Sequence, residues 1–551
     1  MANKHVDAIV VGAGAGGGVV AKQLAINGIS VVLFERGRWQ TFDEHNNDEL
    51  LSQRTTVLGN AYGPDNERYR RVFVDTDGNE RIVLPNEWSY NNNAGCVGGG
   101  TLSYGAMAWR FMPQDFKMRS IYGTVEGSTL EDWPISYDDL ESSYEKAEWE
   151  VGVSGDDSQN PFAPPRSNPH PMPPFPYNKE AKIMDAAAKR LGWHPFPIPM
   201  LRNSISYRGR GACIRMRTCV GFACPVNAKC GTQNTVIPEA MATGNCHVRT
   251  ECKVARILLN DQGRATGVEY FDEKNRRQIQ TADVVVLAAS ATETPRLLLN
   301  STSKLFPNGA GNNNDWVGRN LQGHAYTGAF GLFEEEVYDD VGPGACLAIC
   351  DFNHDNPGLV GGGLLANEFI RMPYLFTGIR PPGAKGWGLE HKKFQKKYFK
   401  HHAQAVGPIQ EMPMFDARVQ VDPDVKDYWG MPVARLSGHR HPYDLELTDF
   451  LSRKAEMWMK ECGAIQTWRH QPGISLSGGQ HQAGTCRMGD DPKTSVTNKY
   501  GQVWDIDNLF IADASLHVTN GGFNPALTIL ALGYWVGDYI AKEWKGRGFK
   551  S

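Results

Sequence analysis

The sequence predicts an α/β fold, α+β over the whole chain, with a parallel nucleotide-binding sheet drawn from separated stretches. Three observations predict it. A G-x-G-x-x-G turn, Gly12, Gly14 and Gly17, sits between a buried-strand pattern at 7–11 and a helical one at 19–26, and a second strand at 29–35 closes the unit. Another buried-strand pattern ending in small residues, "ADVVVLAAS", begins at residue 282. A third, "NLFIADAS" at 508–515, ends on an acid. This is a Rossmann-like layer, and the residues between its parts imply a second domain over its active face.

Each part of the first unit has a physical task. Gly12 permits the tight turn, Gly14 lets the backbone approach a pyrophosphate, and Gly17 lets the helix pack close on the strand. The helix start offers N–H groups and a positive dipole end to an anion. Glu35 ends the second strand, where a carboxylate accepts from a ribose diol and disfavours the 2′-phosphate of NADP. FAD and NAD both suit this unit; Ala21, Leu24, Gly28 and Val31 extend the pattern toward the form common in FAD proteins.

A second glycine block, "NNNAGCVGGGTLSYGAMAWRFMPQDF" at 91–116, describes either a backbone passing over something flat or an ordinary loop. Residues 160–178 are Pro-rich and read as irregular, a surface excursion or a lid. Strand-like runs return at 246–290, followed by helical "ETPRLLLNS". Residues 326–470 are richer in aromatics and His; Trp387, Tyr398, His401 and His402 could line a sugar site, though core or surface packing is the commoner role.

Composition excludes other classes. The 57 basic and 61 acidic residues nearly balance, so nothing calls for a nucleic-acid or anionic-membrane partner. The longest apolar runs fall short of the roughly 20 residues of a membrane span. The first residues enter a strand with no signal-peptide pattern, so a cytoplasmic location is expected, with periplasmic co-export on a partner as the alternative. The 11 cysteines are odd in number and uneven, unlike a secreted disulfide framework. Cys213, Cys219, Cys224 and Cys230 crowd within 18 residues, suiting an iron–sulfur cluster, zinc or plain loop cysteines.

Eight stretches in order resemble the glucose–methanol–choline (GMC) oxidoreductases, a family of FAD enzymes, over essentially the whole chain. They are the N-terminal unit, "CVGGGTLSYGAMAWR", "WPISYDDLESSYEKAE", "LAASATETPRLLL", "VGRNLQGH", "HQAGTCRMG", "LFIADAS" and "GFNPALTILALG". "AWRFMPQDFKMRSIYG" is similar to bacterial gluconate 2-dehydrogenase and FAD-glucose dehydrogenase large subunits. The resemblance implies an FAD-binding domain from residues 1–160, 205–325 and 472–551, a Pro-rich excursion at 161–204, and a substrate domain at 326–471 on an antiparallel sheet with helices.

It also implies a reaction: oxidation of a sugar, glycoside or sugar-acid C–OH to a carbonyl, with hydride passing to the flavin and His481 as base. An imidazole suits that task because its ordinary pKa lies near about 6.5. Asn524 is the implied positioning partner; it cannot act as a base but can orient an alcohol oxygen. Pro525 stands at a first helical position, so a helix there would aim its start at the flavin. The resemblance places Gly98, Gly99 and Ser103 along the flavin, Val254 at the adenine and Asp513 near the pyrophosphate or ribityl chain. It gives His324 a structural role and leaves His517 as a weaker alternative base. Tyr104 stands where many members have Asn. Cys213, Cys219 and Cys224 match, with Cys224 one residue late, a loop that holds a [3Fe-4S] cluster in some relatives, with Cys230 as a spare. With a cluster, a small subunit or cytochrome would take the electrons. The alternatives are an oxidase of the same fold using O₂ on a sugar or aminosugar, and a non-catalytic flavin redox or scaffold subunit.

Overall fold

The computed structural model describes residues 4–45, 47–51, 62–90, 94–367, 372–477 and 481–545. Residues 91–93 of the second glycine block and 478–480, just ahead of His481, lie outside them.

Strand β1 (Val6–Val11), helix α1 (Ala15–Ile26) and strand β2 (Val31–Phe34) form the expected unit. The two strands run parallel, Ile9 opposite Val32, and all four residues of β2 are buried, as a sheet covered on both faces requires. β2 passes the sheet on to Cys246–Arg249. On its other side β1 pairs with β3 (Arg277–Leu287), Ile9 facing Val285. β3 serves two neighbourhoods: residues 282–287 lie parallel to β1, and Leu509–Ile511 runs parallel to 285–287. Residues 277–281 run antiparallel to Ala265–Phe271, which pairs in turn with Lys253–Leu259.

The glycine turn is a backbone-to-backbone contact. Gly12 has φ +104°, and a Cβ there would lie 2.3 Å from the Ala288 carbonyl oxygen. A Cβ on Gly17 would lie 1.9 Å from the Gly12 oxygen, so the expected close helix–strand packing is present.

Among the described residues a second sheet has six strands, all paired antiparallel. Its order is Gln466–His470, β4 (Tyr326–Leu332), β5 (His402–Pro408), Leu365–Asn367, Leu347–Ile349 and Phe196–Pro197. Helix Pro442–Glu461 covers it with Leu447, Leu451, Ala455 and Trp458, a helical stripe of buried residues. The Trp458 indole N–H donates to the Met184 carbonyl in helix Lys179–Arg190, tying the two covering helices together. A third sheet, not anticipated from sequence, joins Arg71–Val74 and Glu80–Val83 to Arg418–Lys426 and Pro432–Ser437.

Helix α2 (Ala526–Lys545) closes the molecule by lying on α1. Small residues allow the approach: a Cβ on Gly533 would stand 3.0 Å from the Gly16 oxygen. The Pro-rich segment has no helix or strand between Val153 and Asn178 beyond a bridge from Ser154 to Met172. It is pinned rather than loose, because Arg166 pairs with Glu148 at 3.0 Å and Asp157 at 2.6 Å, and Met172 and Phe175 are buried. Among the described residues no helix is long and apolar enough to cross a membrane.

Gly17→Ala drives a methyl group into backbone that side-chain movement cannot relieve. It should cost about 1–3 kcal/mol or more, read as a lowered thermal midpoint of the purified protein.

Candidate active site

The three cofactor-type strands end at one cleft that is partly open to solvent. Gly12, Gly14, Glu35, Gly99, Val254 and Asp513 line it, as do Tyr104 and His481. Gly98 and Ser103 do not. Gly98 turns behind the cleft with φ +93° and its N–H on the Ala13 carbonyl, while buried Ser103 accepts the Gly221 N–H through its backbone oxygen. Tyr104 presents its ring to the cleft and ties its hydroxyl to the Cys230 carbonyl.

Helix α1 opens on the cleft without a side-chain cap and with no acid in its first turn. Helix Tyr137–Ala147, by contrast, is capped by Ser136 and Asp139. The uncapped N–H groups of α1 are therefore left for an anion. Gly14 carries the same message: among the described residues nothing lies within 4 Å of where its Cβ would be, so none of them demands glycine there. Gly99 comes close to it, and a Cβ on Gly99 would stand 3.2 Å from the Gly14 Cα.

The two acids are held by backbone. Glu35 accepts the N–H groups of Ala13 at 3.0 Å and Gly37 at 2.9 Å, yet burial pushes its carboxyl above the usual range. Asp513 accepts from the Ser290 N–H at 3.0 Å and the Thr294 hydroxyl at 2.6 Å, and burial pushes it up too. Beyond Glu35 a buried ionic cluster closes the cleft: Glu293 meets Arg71 at 2.8 Å, Arg296 at 3.0 Å and Arg36 at 3.6 Å, and Asp427 bridges Arg296 to Lys253. Burial opposes ionisation of Glu293, but the three guanidinium groups outweigh it and hold the carboxyl well below its usual range.

At the opposite end stands His481, whose φ of +80° is unusual for a residue with a side chain. The Asn520 amide donates to the His481 carbonyl at 2.8 Å and fixes that peptide. The imidazole Nδ1 lies 3.0 Å from Nδ1 of His324, and its ring centroid lies 6.1 Å from that of Tyr326. Asn524 is on the same tyrosine: its Nδ2 donates to the Tyr326 hydroxyl oxygen at 2.8 Å. The Trp109 indole N–H can only donate, so at 3.2 Å it fixes which end of the amide is Oδ1. His481 and Asn524 thus come together at Tyr326, beside a helix start, residues 525–529, that lines the cleft through Pro525, Ala526 and Ile529.

Sequence reasoning missed Tyr326 and gave His324 only a structural role. "NLQGH" was the signal available for His324; Tyr326, two residues further on, had none. His517 lies behind the site, buried against Phe111 and Trp133 with Nδ1 on the Asn520 side-chain oxygen. Trp387, 82% exposed, is on the surface. Tyr398 packs on Phe394, His401 bonds the Glu334 carbonyl and His402 stacks on Phe376, none of them at the cleft.

The cysteine loop gives the iron–sulfur alternative no support: Cys219 and Cys224 lie near enough to Cys213 to raise its thiol, but among the described residues no group of three His, Cys, Asp or Glu side chains is placed to hold a metal ion. Cys213 accepts the Arg215 N–H, and Cys230 faces the Arg210 guanidinium at 3.1 Å and the Asn203 amide oxygen at 3.2 Å. Burial pushes the Cys219 thiol up, but Arg202 and Lys229 outweigh it and lower it below its usual value.

A cleft under a glycine turn, with His481 on its wall and Asn524 one residue before the lining Pro525, suits a dinucleotide-dependent oxidoreductase. Comparison with known proteins agrees. The GMC oxidoreductase family models match residues 6–326 and 415–533, and the chain belongs to that family. It is 31% identical to 2-methyl-1,2-propanediol dehydrogenase of Mycolicibacterium austroafricanum, over 98% of this chain and 95% of that one. It is 27% identical to the gluconate 2-dehydrogenase flavoprotein of Pantoea cypripedii, over 98% and 94%. Among solved structures it resembles pyridoxine 4-oxidase from Mesorbium loti, with a TM-score of 0.63, 17% identity and 97% and 99% of the two chains covered, which shows the shared fold.

Gly14→Ala should leave the thermal midpoint of the flavin-free protein unchanged and abolish flavin retention, measured by visible absorbance after gel filtration. His517 gives a pH prediction. Burial holds its imidazole down to about 4, against about 6.5 in an unfolded chain. The unfolded chain takes the proton first, so this stabilisation is full above about pH 6.5 and is lost as pH falls toward about 4. His517→Gln should lose less of its thermal midpoint across that window than the wild type.

Proposed function

We propose that this enzyme oxidises a C–OH group of a sugar, glycoside or sugar acid to a carbonyl, with His481 as the base. The observation that carries the reading is that Tyr326 is shared by His481, which lines the cleft, and Asn524, which immediately precedes the lining Pro525. The cleft fits FAD by the spare room at Gly14, the uncapped start of α1 and the acid at Glu35. In this reading Val254 meets the adenine, Glu35 the ribose, α1 the pyrophosphate, and Gly99 with Tyr104 the flavin side. Bound FAD supplies a hydride acceptor.

The remaining chemistry belongs to side chains. His481 accepts the hydroxyl proton, which leaves an alkoxide-like oxygen ready to expel hydride from its carbon. Asn524 keeps Oδ1 on Trp109 and one amide hydrogen on Tyr326, so its second amide hydrogen is the donor for the alcohol oxygen. The relatives' substrates favour a polyhydroxylated compound. One is named for 2-methyl-1,2-propanediol and one for gluconate; a third, 27% identical over 98% of each chain, is the fructose dehydrogenase large subunit of Gluconobacter japonicus. That last name, a large subunit, supports a partner protein as electron acceptor. Relatives named as oxidases, including paromamine 6'-oxidase of Streptomyces fradiae at 26% identity, support O₂ as a second reading. Peroxide formed under air separates the two.

The test is an anaerobic panel of sugars, glycosides, aldonates and small diols added to the flavin-loaded protein. At least one should bleach the flavin band, and bleaching by none would overturn the reading. His481→Ala should slow that bleaching by about 10²–10⁴-fold with little change in half-saturation, whereas Asn524→Ala should also raise the half-saturation concentration.

A further inference from the structure

His324 is buried, 4% exposed, and stands between two groups of opposite demand. Its Nε2 lies 2.9 Å from the Gly521 carbonyl oxygen and 3.1 Å from that of Asn520. A carbonyl oxygen only accepts, so Nε2 carries hydrogen. In a neutral imidazole the other nitrogen is then an acceptor. That nitrogen, Nδ1, faces Nδ1 of His481 at 3.0 Å, with the rings set nearly edge to face at 77°. His481 must therefore donate from Nδ1, which puts its lone pair on Nε2.

We infer that His324 is a positioning residue that fixes His481 in the Nδ1–H tautomer and so makes Nε2 the proton-accepting atom. The inference rests on the reading of His481 as base. It is a chain of hydrogen bonds with one allowed direction, from His481 Nδ1–H to His324 Nδ1 and from His324 Nε2–H to the 520–521 turn. The turn is itself fixed, because the Asn520 amide donates to both the Gly323 and the His481 carbonyls. The loop that holds His324 is thus locked to the loop that holds His481.

The direction reverses if His324 is protonated. An imidazolium donates from both nitrogens, so His481 Nδ1 would have to accept, and its hydrogen would move to Nε2, where a base needs a lone pair. Burial is the largest influence keeping His324 neutral, lowering its affinity for the proton; Glu411, the two carbonyls and Asp115 act the other way. These acids are themselves engaged: Glu411 by the Arg440 guanidinium, Ser477 and the Gly323 N–H, Asp115 by His354 and the Met112 N–H. Asp444 lies next to Glu411, and burial pushes it well above the usual range. His517, on the far side of Asn520, is held down to about 4 by burial. The device predicts that the base is lost on acidification by protonation of either member of the pair.

The test compares flavin-loaded wild type, H324L, H324Q and H481A in anaerobic single-turnover reduction by a substrate from the panel. A glutamine presents an amide N–H₂ to the carbonyls and its oxygen to His481, reproducing the direction; leucine reproduces neither. H324L should lose about tenfold or more in limiting reduction rate with half-saturation little changed, and H324Q should recover most of it. The acid limb of the H324Q pH profile should also be displaced from that of the wild type, since a glutamine does not titrate. Should H324L fail to retain flavin, H324N takes its place, having the same amide but one methylene too few to reach both partners. H324Q no faster than H324L or H324N, or H324L at the wild-type rate while H481A is inactive, overturns the inference. An H481A enzyme that reduces flavin normally overturns the base reading and this inference together.

Discussion

Four distant stretches of chain meet at positions where a Cβ is missing, and the molecule depends on that convergence. Cβ atoms built on Gly12, Gly16 and Gly17 would strike the carbonyl oxygens of Ala288, Ala512 and Gly12, and one on Gly37 would lie 1.7 Å from the Gly95 oxygen. These contacts bring the first turn, the end of β3, the strand at 509–511 and the second glycine block within backbone distance of each other. Side chains of any size would hold them apart, and the cleft would have no floor. Van der Waals exclusion, more than any attraction, sets the shape of the cofactor end of the protein.

Electrostatics holds the rim. The Arg36, Arg71, Glu293, Arg296, Asp427 and Lys253 cluster links the first sheet to the third, and Lys253 faces the Trp429 ring at 4.2 Å. Taking such charges out of water is expensive unless every one is engaged, so the cluster demands one arrangement rather than adding much stability. The third sheet thereby becomes part of the cleft wall, with Met431, in the turn between two of its strands, lining the cavity.

The sequence was most legible where function is local. Gly12, Gly14, Gly17 and Glu35 lie in one short unit whose spacing already encodes the turn, and all but Gly17 line the cleft. Gly98 and Ser103 are not among the cleft-lining residues while Gly99, Gly100, Thr101 and Tyr104 are, a division the second glycine block has no periodicity to announce. Tyr326 left no trace, since its role arises from β4 delivering its first residue beside Asn524, nearly 200 positions away. The third sheet was invisible for the same reason: Val72 pairs with Arg435, a contact no local pattern announces. The cysteine loop was open in sequence between a cluster and plain loop cysteines; among the described residues the thiols of Cys213, Cys219 and Cys224 lie near enough to act on one another yet form no group placed to hold a metal ion.

The strand at 509–511 lies against β3, and Ala512 packs on Gly16. Asp513 braces Ser290 and Thr294, and Pro525, Ala526 and Ile529 wall the cavity. Two parts of the chain about five hundred positions apart, the glycine turn and the segment 512–529, thus supply walls of one cavity, and a cut that parts them takes one wall away.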